Sequence, residues 1–86
     1  MLSQIHPGEH VAEELKTLNI SAAELARRIN VPPRRVFQII KGTRPIARDT
    51  ALRLANYLGT TAQFWLNLQT LYDLRVSQQR IGKNDH

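Results

Sequence analysis

Pro32-Pro33 interrupts the chain between two segments that otherwise read as helix. Proline lacks the N–H that an interior helical position donates, and its ring clashes with the preceding turn. No helix runs continuously across this pair. Upstream, Ser21-Ala22-Ala23-Glu24 has the form of a capping box: the Ser21 hydroxyl can accept from the N–H three residues on, and the Glu24 carboxylate can reach back to the Ser21 N–H. The helix it opens runs from about Ala22 to Ile29, burying Leu25, Ala26 and Ile29. It stops at Asn30, which enters a left-handed turn with less strain than most residues. Downstream, Pro33 has its φ preset for a first helical turn, and the next helix runs to about Lys41 and stops at Gly42. Two short helices joined by a tight turn are the result.

That unit has the form of a helix-turn-helix, and the phase of its second helix tests the reading. At ~100° per residue, Val36, Ile39 and Ile40 form one apolar stripe that docks on Leu25 and Ile29. The opposite side carries Arg34, Gln38 and Lys41, flanked by Arg35 and Phe37. Arg and Gln are residue types that read base edges, Arg bidentate to guanine and Gln bidentate to adenine, and the start of a recognition helix is the part nearest the bases. Phe37 can meet a thymine methyl or pack sideways against the next helix or a partner subunit.

The remainder is also helical in pattern. His6-Pro7-Gly8-Glu9 opens a first helix, with Val11, Leu15 and Leu18 at helical spacing and Asn19 as its stop. Arg44-Pro45 is a further break. A fourth helix runs from roughly Arg48 to Leu58, burying Ala51, Leu52, Leu54, Ala55 and Leu58, and stops at Gly59. Thr60 or Thr61 caps a fifth, carrying Phe64, Trp65, Leu68, Leu71 and Tyr72. β-branched residues are scattered and no segment alternates, so the fold class is all-α. Residues 1–76 read as a single domain, and 77–86 as a polar tail expected to fray.

Charge is segregated along the chain. The net charge is +5, but residues 27–53 carry +7 and the rest −2. In the N-terminal third, Glu9, Glu13, Glu14 and Glu24 face only Lys16. A basic block beside an acidic one suits two surfaces with two kinds of partner. Double-stranded DNA fits the basic block. Ser21 and Ala22, at the start of their helix, offer free N–H groups to a phosphate, and Arg35, Lys41, Thr43 and Arg44 supply further phosphate contacts. The acidic first helix, through Glu9, Glu13 and Glu14, is either a surface for a basic partner or an ordinary solvated face.

Other classes are disfavoured. The chain has 86 residues and no cysteine, so there is no disulfide frame and no thiolate nucleophile. It holds no transmembrane run, and its first ten residues do not read as a secretory signal, which fits the cytoplasm. His6, Glu9 and His10 are too few for a structural metal site, and no Ser or Thr has a paired base. The expectation is a non-enzyme with no catalytic residue, metal or cofactor.

The fifth helix spreads Phe64, Trp65, Leu68, Leu71, Tyr72, Leu74 and Val76 over roughly 200° of arc, with Leu66 further round. A helix serving only its own core needs little more than ~100°. The excess points to a homodimer through Trp65, Leu66, Leu68, Leu71 and Tyr72, with two recognition helices ~34 Å apart reading a palindrome.

From Ser21 to Gly59 the chain resembles the phage-repressor-like (Cro/C1 or XRE) helix-turn-helix family. The resemblance is carried by Ala23-Glu24-Leu25-Ala26, Ile40-Lys41-Gly42 and Ala51-Leu52-Arg53-Leu54-Ala55. Over nearly its whole length it is similar to the HigA-type antitoxins, or plasmid-maintenance antidote proteins. His6-Pro7-Gly8-Glu9, Pro45-Ile46, Asp49-Thr50-Ala51-Leu52, Phe64-Trp65-Leu66-Asn67-Leu68-Gln69 and Tyr72-Asp73-Leu74 carry this narrower match. The resemblance implies a five-helix, lambda repressor-like domain acting as a homodimer. It implies neutralisation of a HigB-type toxin, a small basic mRNA endonuclease, and repression of its own operon at operator DNA. The family's base-contact positions fall on Pro33, Arg34 and Gln38, of which Pro33 offers no hydrogen-bond donor. The alternative is a stand-alone phage-type repressor with no toxin partner.

Overall fold

Each expected helix stop lies in the left-handed region, with φ of 57° at Asn19, 62° at Asn30, 84° at Gly42 and 76° at Gly59. The computed structural model describes residues 5–84. Among them the chain forms five α-helices and no strand: α1 (Pro7–Leu18), α2 (Ala22–Ile29), α3 (Pro33–Lys41), α4 (Arg48–Leu58) and α5 (Ala62–Asn84). Past each stop an N–H turns back to the last turn, as Val31 does to the Ala26 carbonyl at 3.0 Å and Thr43 to Gln38 at 3.0 Å. These bonds satisfy carbonyls that a helix end leaves bare.

The starts are equally local. Ser21 Oγ accepts from the Glu24 N–H at 3.0 Å, and Thr61 Oγ1 from the Phe64 N–H at 3.1 Å. Thr60, the other candidate cap, accepts from the Trp65 indole N–H at 2.8 Å. His6 Nδ1 accepts from the Gly8 N–H at 2.9 Å, capping α1. The capping box at Ser21 is half made, because the Glu24 carboxylate turns outward to Arg27 and Arg28.

One core joins all the helices. Its buried members include Val11, Leu25, Ile29, Val36, Ile39, Ala51, Leu54 and Trp65, and each large side chain among them contributes about 1.5–3 kcal/mol by leaving water. α3 packs on α2 and α1, while α4 packs on α2 and α5. Gly8 permits the approach of α1 to α3, since a Cβ there would lie 1.8 Å from the Ile39 carbonyl oxygen. The loop between α3 and α4 is fixed by Ile46, which is buried. The Ile46 N–H donates to Gln69 Oε1 of α5 at 2.9 Å, and Gln69 Nε2 donates to Asp73 at 3.0 Å.

Three expectations are corrected. Leu52 is 57% exposed, because it lies ~100° or more around α4 from Ala51, Leu54 and Leu58, which face the core. Trp65 is 1% exposed within a single chain. It completes the chain's own core and offers no surface to a second copy. Residues 77–84 continue α5, since Gln and Arg are good helix formers and each added residue closes a bond onto an existing turn. Residues 85–86 of the expected tail, and residues 1–4 of the expected domain, lie outside the described residues. No described helix is long and apolar enough to cross a membrane.

Candidate nucleic-acid interface

The recognition surface is built from the buried side outward. Val36 and Ile39 are each 2% exposed, and they pack with Leu25 and Ile29 of α2, Val11 of α1 and Leu54 of α4. This seating fixes the rotation of α3. Across the helix, Pro33, Arg34 and Lys41 are exposed and Gln38 is half-buried. Arg34, Gln38 and Lys41 fall at i, i+4 and i+7, one face of a helix. Phe37 is also exposed. α3 begins at Pro33, and its N-cap position, Pro32, supplies no side-chain cap.

Of the groups expected on phosphates, Ser21 is exposed and Ala22 half-buried at the start of α2. Thr43 is engaged within the chain: its N–H and its hydroxyl both donate to the Gln38 carbonyl, at 3.0 and 3.2 Å. It therefore terminates α3. Arg44 follows, exposed, in the loop pinned by Ile46.

The basic block divides into paired and unpaired cations. Arg27 and Arg28 both bind Glu24, and their hydrogen bonds hold its carboxyl at about 2, far below the usual carboxylate range. The same bonds raise both guanidinium pKa values. Arg28 also donates to the Tyr57 hydroxyl at 2.5 Å. Asp49 takes Arg53 at 3.2 Å and Arg35 at 3.5 Å. Arg53 further donates to the Ile29 and Asn30 carbonyls at 3.0 and 3.3 Å, placing a cation at the C-terminal end of α2, where the helix dipole favours it. Arg34, Lys41, Arg44 and Arg48 have no ion pair among the described residues. All four are exposed, and they lie on α3, on the following loop and at the start of α4. Arg48 was not singled out from sequence. Its signal was its place in the basic window just after the loop, but only the pairing of its neighbours sets it apart.

The other candidate surfaces lie elsewhere. On α1, Glu9 and Glu13 are exposed and Glu14 is half-buried. Ile5, Glu9, His10 and Glu13 line a shallow recess there. His6 is turned inward, its ring edge-on to Tyr72 with centroids 4.8 Å apart. His10 meets Phe64 at 6.1 Å. On α5, Leu71 is exposed, whereas Leu66, Leu68 and Tyr72 are half-buried.

Residues 11–65 match the helix-turn-helix family model. The chain is 50% identical over 76 residues to virulence-associated protein I of Dichelobacter nodosus, covering 87% of this chain and 70% of that one. A solved addiction module antidote protein of the HigA family from Coxiella burnetii superposes with a TM-score of 0.93 at 49% identity, over 96% of this chain and 91% of that chain. A Pseudomonas aeruginosa antitoxin HigA, solved with the higBA promoter, superposes with a TM-score of 0.90 at 42% identity, over 95% and 90% of the two chains. The protein thus belongs to the Cro/C1-type helix-turn-helix family, with the fold of its HigA-type antidote proteins.

Proposed function

We propose that this chain is a DNA-binding antitoxin that represses its own operon. The observation that carries the reading is the seating of α3: Val36 and Ile39 are buried beneath it, while Arg34 is left exposed on the far side. Arg34 and Gln38, with Pro33 beside them, are the groups nearest the bases. Ser21, Ala22, Arg35, Lys41 and Arg44 contact the phosphate backbone, and Arg48 joins them, while Thr43, whose N–H and hydroxyl both donate to Gln38, holds the end of α3. The Pseudomonas aeruginosa relative solved with promoter DNA supports the partner.

Two copies act together on a palindromic operator. In α5 the apolar residues form two stripes. Trp65, Gln69, Tyr72 and Val76 share the inner side. Phe64, Leu71, Leu74 and Ile81, exposed by 40 to 65%, lie across the helix from them at ~100° per residue. Phe64 also meets His10 and Trp65, whereas Leu71, Leu74 and Ile81 are not packed against the core; intervals of seven, three and seven put the stripe in one register of a heptad seam. It retains Leu71 from the expected interface and adds Phe64, Leu74 and Ile81.

The second partner is a HigB-type mRNA endonuclease toxin, small and basic, which the protein neutralises in the cytoplasm. The exposed carboxylates Glu9 and Glu13, with Glu14 beside them, offer a complementary charge. The protein itself performs no catalysis in this reading.

Selection of bound duplexes from a random pool tests the DNA reading. Arg34→Ala is expected to cost ~1–3 kcal/mol on the selected site and to relax choice at one base pair. Arg44→Ala should weaken all sequences alike and flatten the salt dependence. Equal losses on selected and random DNA for Arg34→Ala would remove it from base reading. Coexpression with the product of the adjacent reading frame tests the toxin: a stable complex is expected, weakened by charge reversal at Glu9 and Glu13. Operator binding without any such complex would favour the stand-alone repressor.

A further inference from the structure

Asp49, in the first turn of α4, holds two guanidinium groups at once. Arg53 Nε lies 3.2 Å from both of its oxygens, and Arg35 of α3 comes within 3.5 Å of Oδ2. The two arginines differ in what else holds them. Arg53 is also tied to the Ile29 and Asn30 carbonyls, so it keeps its place without Asp49. The Arg35 side chain has Asp49 as its one ion-pair partner among the described residues. It sits next to Arg34, in the part of α3 that would lie closest to the duplex.

We propose that Asp49 is a brake on sequence-independent DNA binding: by pairing with Arg35 it withholds one guanidinium of the recognition helix from the phosphate backbone. The inference rests on the DNA-binding reading above. The pair is partly exposed, with side-chain accessibilities of 30% for Arg35 and 62% for Asp49, so its attraction is modest and reversible. A phosphate held in register by the other contacts can take Arg35 from Asp49. A loose encounter on arbitrary sequence brings no phosphate to that fixed position, and Arg35 stays with its carboxylate. The acidic residue thereby removes one counterion-releasing contact from random DNA and leaves it available on the operator. This widens the ratio between the two, which matters more in a genome than affinity alone.

The test is the salt dependence of binding to a random-sequence duplex, measured for wild type, Asp49→Asn, Arg35→Ala and the double variant. Each phosphate contact changes the slope of log K against log salt by about 0.9. Asp49→Asn is expected to steepen the slope by about that amount and to tighten random DNA several-fold at low salt. Arg35→Ala alone should leave the slope on random DNA unchanged while weakening the selected operator. Removing a negative charge strengthens DNA binding wherever it sits, so the double variant decides: in the Arg35→Ala background, Asp49→Asn should no longer steepen the slope. The same increment with and without Arg35, or no increment in either, overturns the brake. So does a flattening of the random-DNA slope by Arg35→Ala alone, which needs no change at Asp49 or its α4 turn. If wild type shows no salt-sensitive DNA binding, the functional reading falls as well. If wild type binds and only the cycle fails, the brake alone is lost.

Discussion

His6 shows how one side chain can make folding depend on pH. Its Nδ1 accepts from the Gly8 N–H, which requires that nitrogen to be unprotonated. The residue is buried, and burial lowers its pKa, while the charges of Asp73 and Glu9 pull the other way. Tyr72 faces the ring edge-on. Unfolded, a histidine titrates near ~6.5. Below that pH the unfolded chain binds a proton that the folded chain resists, so stability is complete above it and falls as the pH drops through it toward the lowered folded value. The melting temperature is expected to decline between about pH 7 and 5, and to do so far less in His6→Asn, because asparagine also caps helices but does not titrate. Glu24 does not confuse the measurement. Its carboxyl is held at about 2, so its contribution is present above the usual carboxylate range near ~4.3 and lost only in stronger acid. Equal slopes for the two proteins would assign the pH dependence to another group.

Between elements, Gly8 is a point of close approach, where α1 meets the backbone of α3. A Cβ there would meet the Ile39 carbonyl, a backbone atom that cannot swing aside. Gly8→Ala should therefore destabilise the protein by ~1–3 kcal/mol or more, read as a lower denaturant midpoint, and should push α1 away from the end of α3. Gly82→Ala is the control: it meets nothing within 4 Å in an exposed helix, and alanine should raise stability by up to ~1 kcal/mol. The ends of α2 and α3 were legible because their causes are local: Ser21, Asn30, Pro33 and Gly42 each act within a few residues of chain. The exposed position of Arg34 followed from the same phase argument. What lay beyond reach depends on distant partners. Glu24 turned to Arg27 and Arg28 although the capping-box spacing was present. Gln69, a polar side chain on the inner side of α5, is buried and receives the Ile46 N–H from the α3–α4 loop. Asp49 and Arg53 read as part of a charge count, and only their geometry shows that Arg35 is drawn into the same cluster.

At the scale of the whole molecule, a Cα radius of gyration of 13.9 Å exceeds the ~12 Å expected of a compact chain of this length. The cause is α5, whose 23 residues extend ~34 Å along a molecule 48 Å in its longest dimension. Arc width on the fifth helix showed that it carries more apolar surface than one core uses, but not which residues serve which side. The structure separates them, with Trp65 inward and Leu71 outward. Leu71→Asp places a charge in the middle of the outer stripe without touching the core, so the helical spectrum and the monomer's own packing should survive. On the proposed pairing of two copies, sedimentation should then report a monomer at concentrations where wild type is expected as a dimer. Operator affinity should fall steeply while affinity for a half-site duplex stays close to wild type, because each recognition helix is intact and only the link between two of them is cut. Trp65→Ala makes the opposite case. Truncating a fully buried indole should cost about 3–5 kcal/mol of folding stability, lowering operator and half-site binding together. A Leu71→Asp protein that remained dimeric would move the contact off this stripe, and the outward leucines of α5 would need another partner.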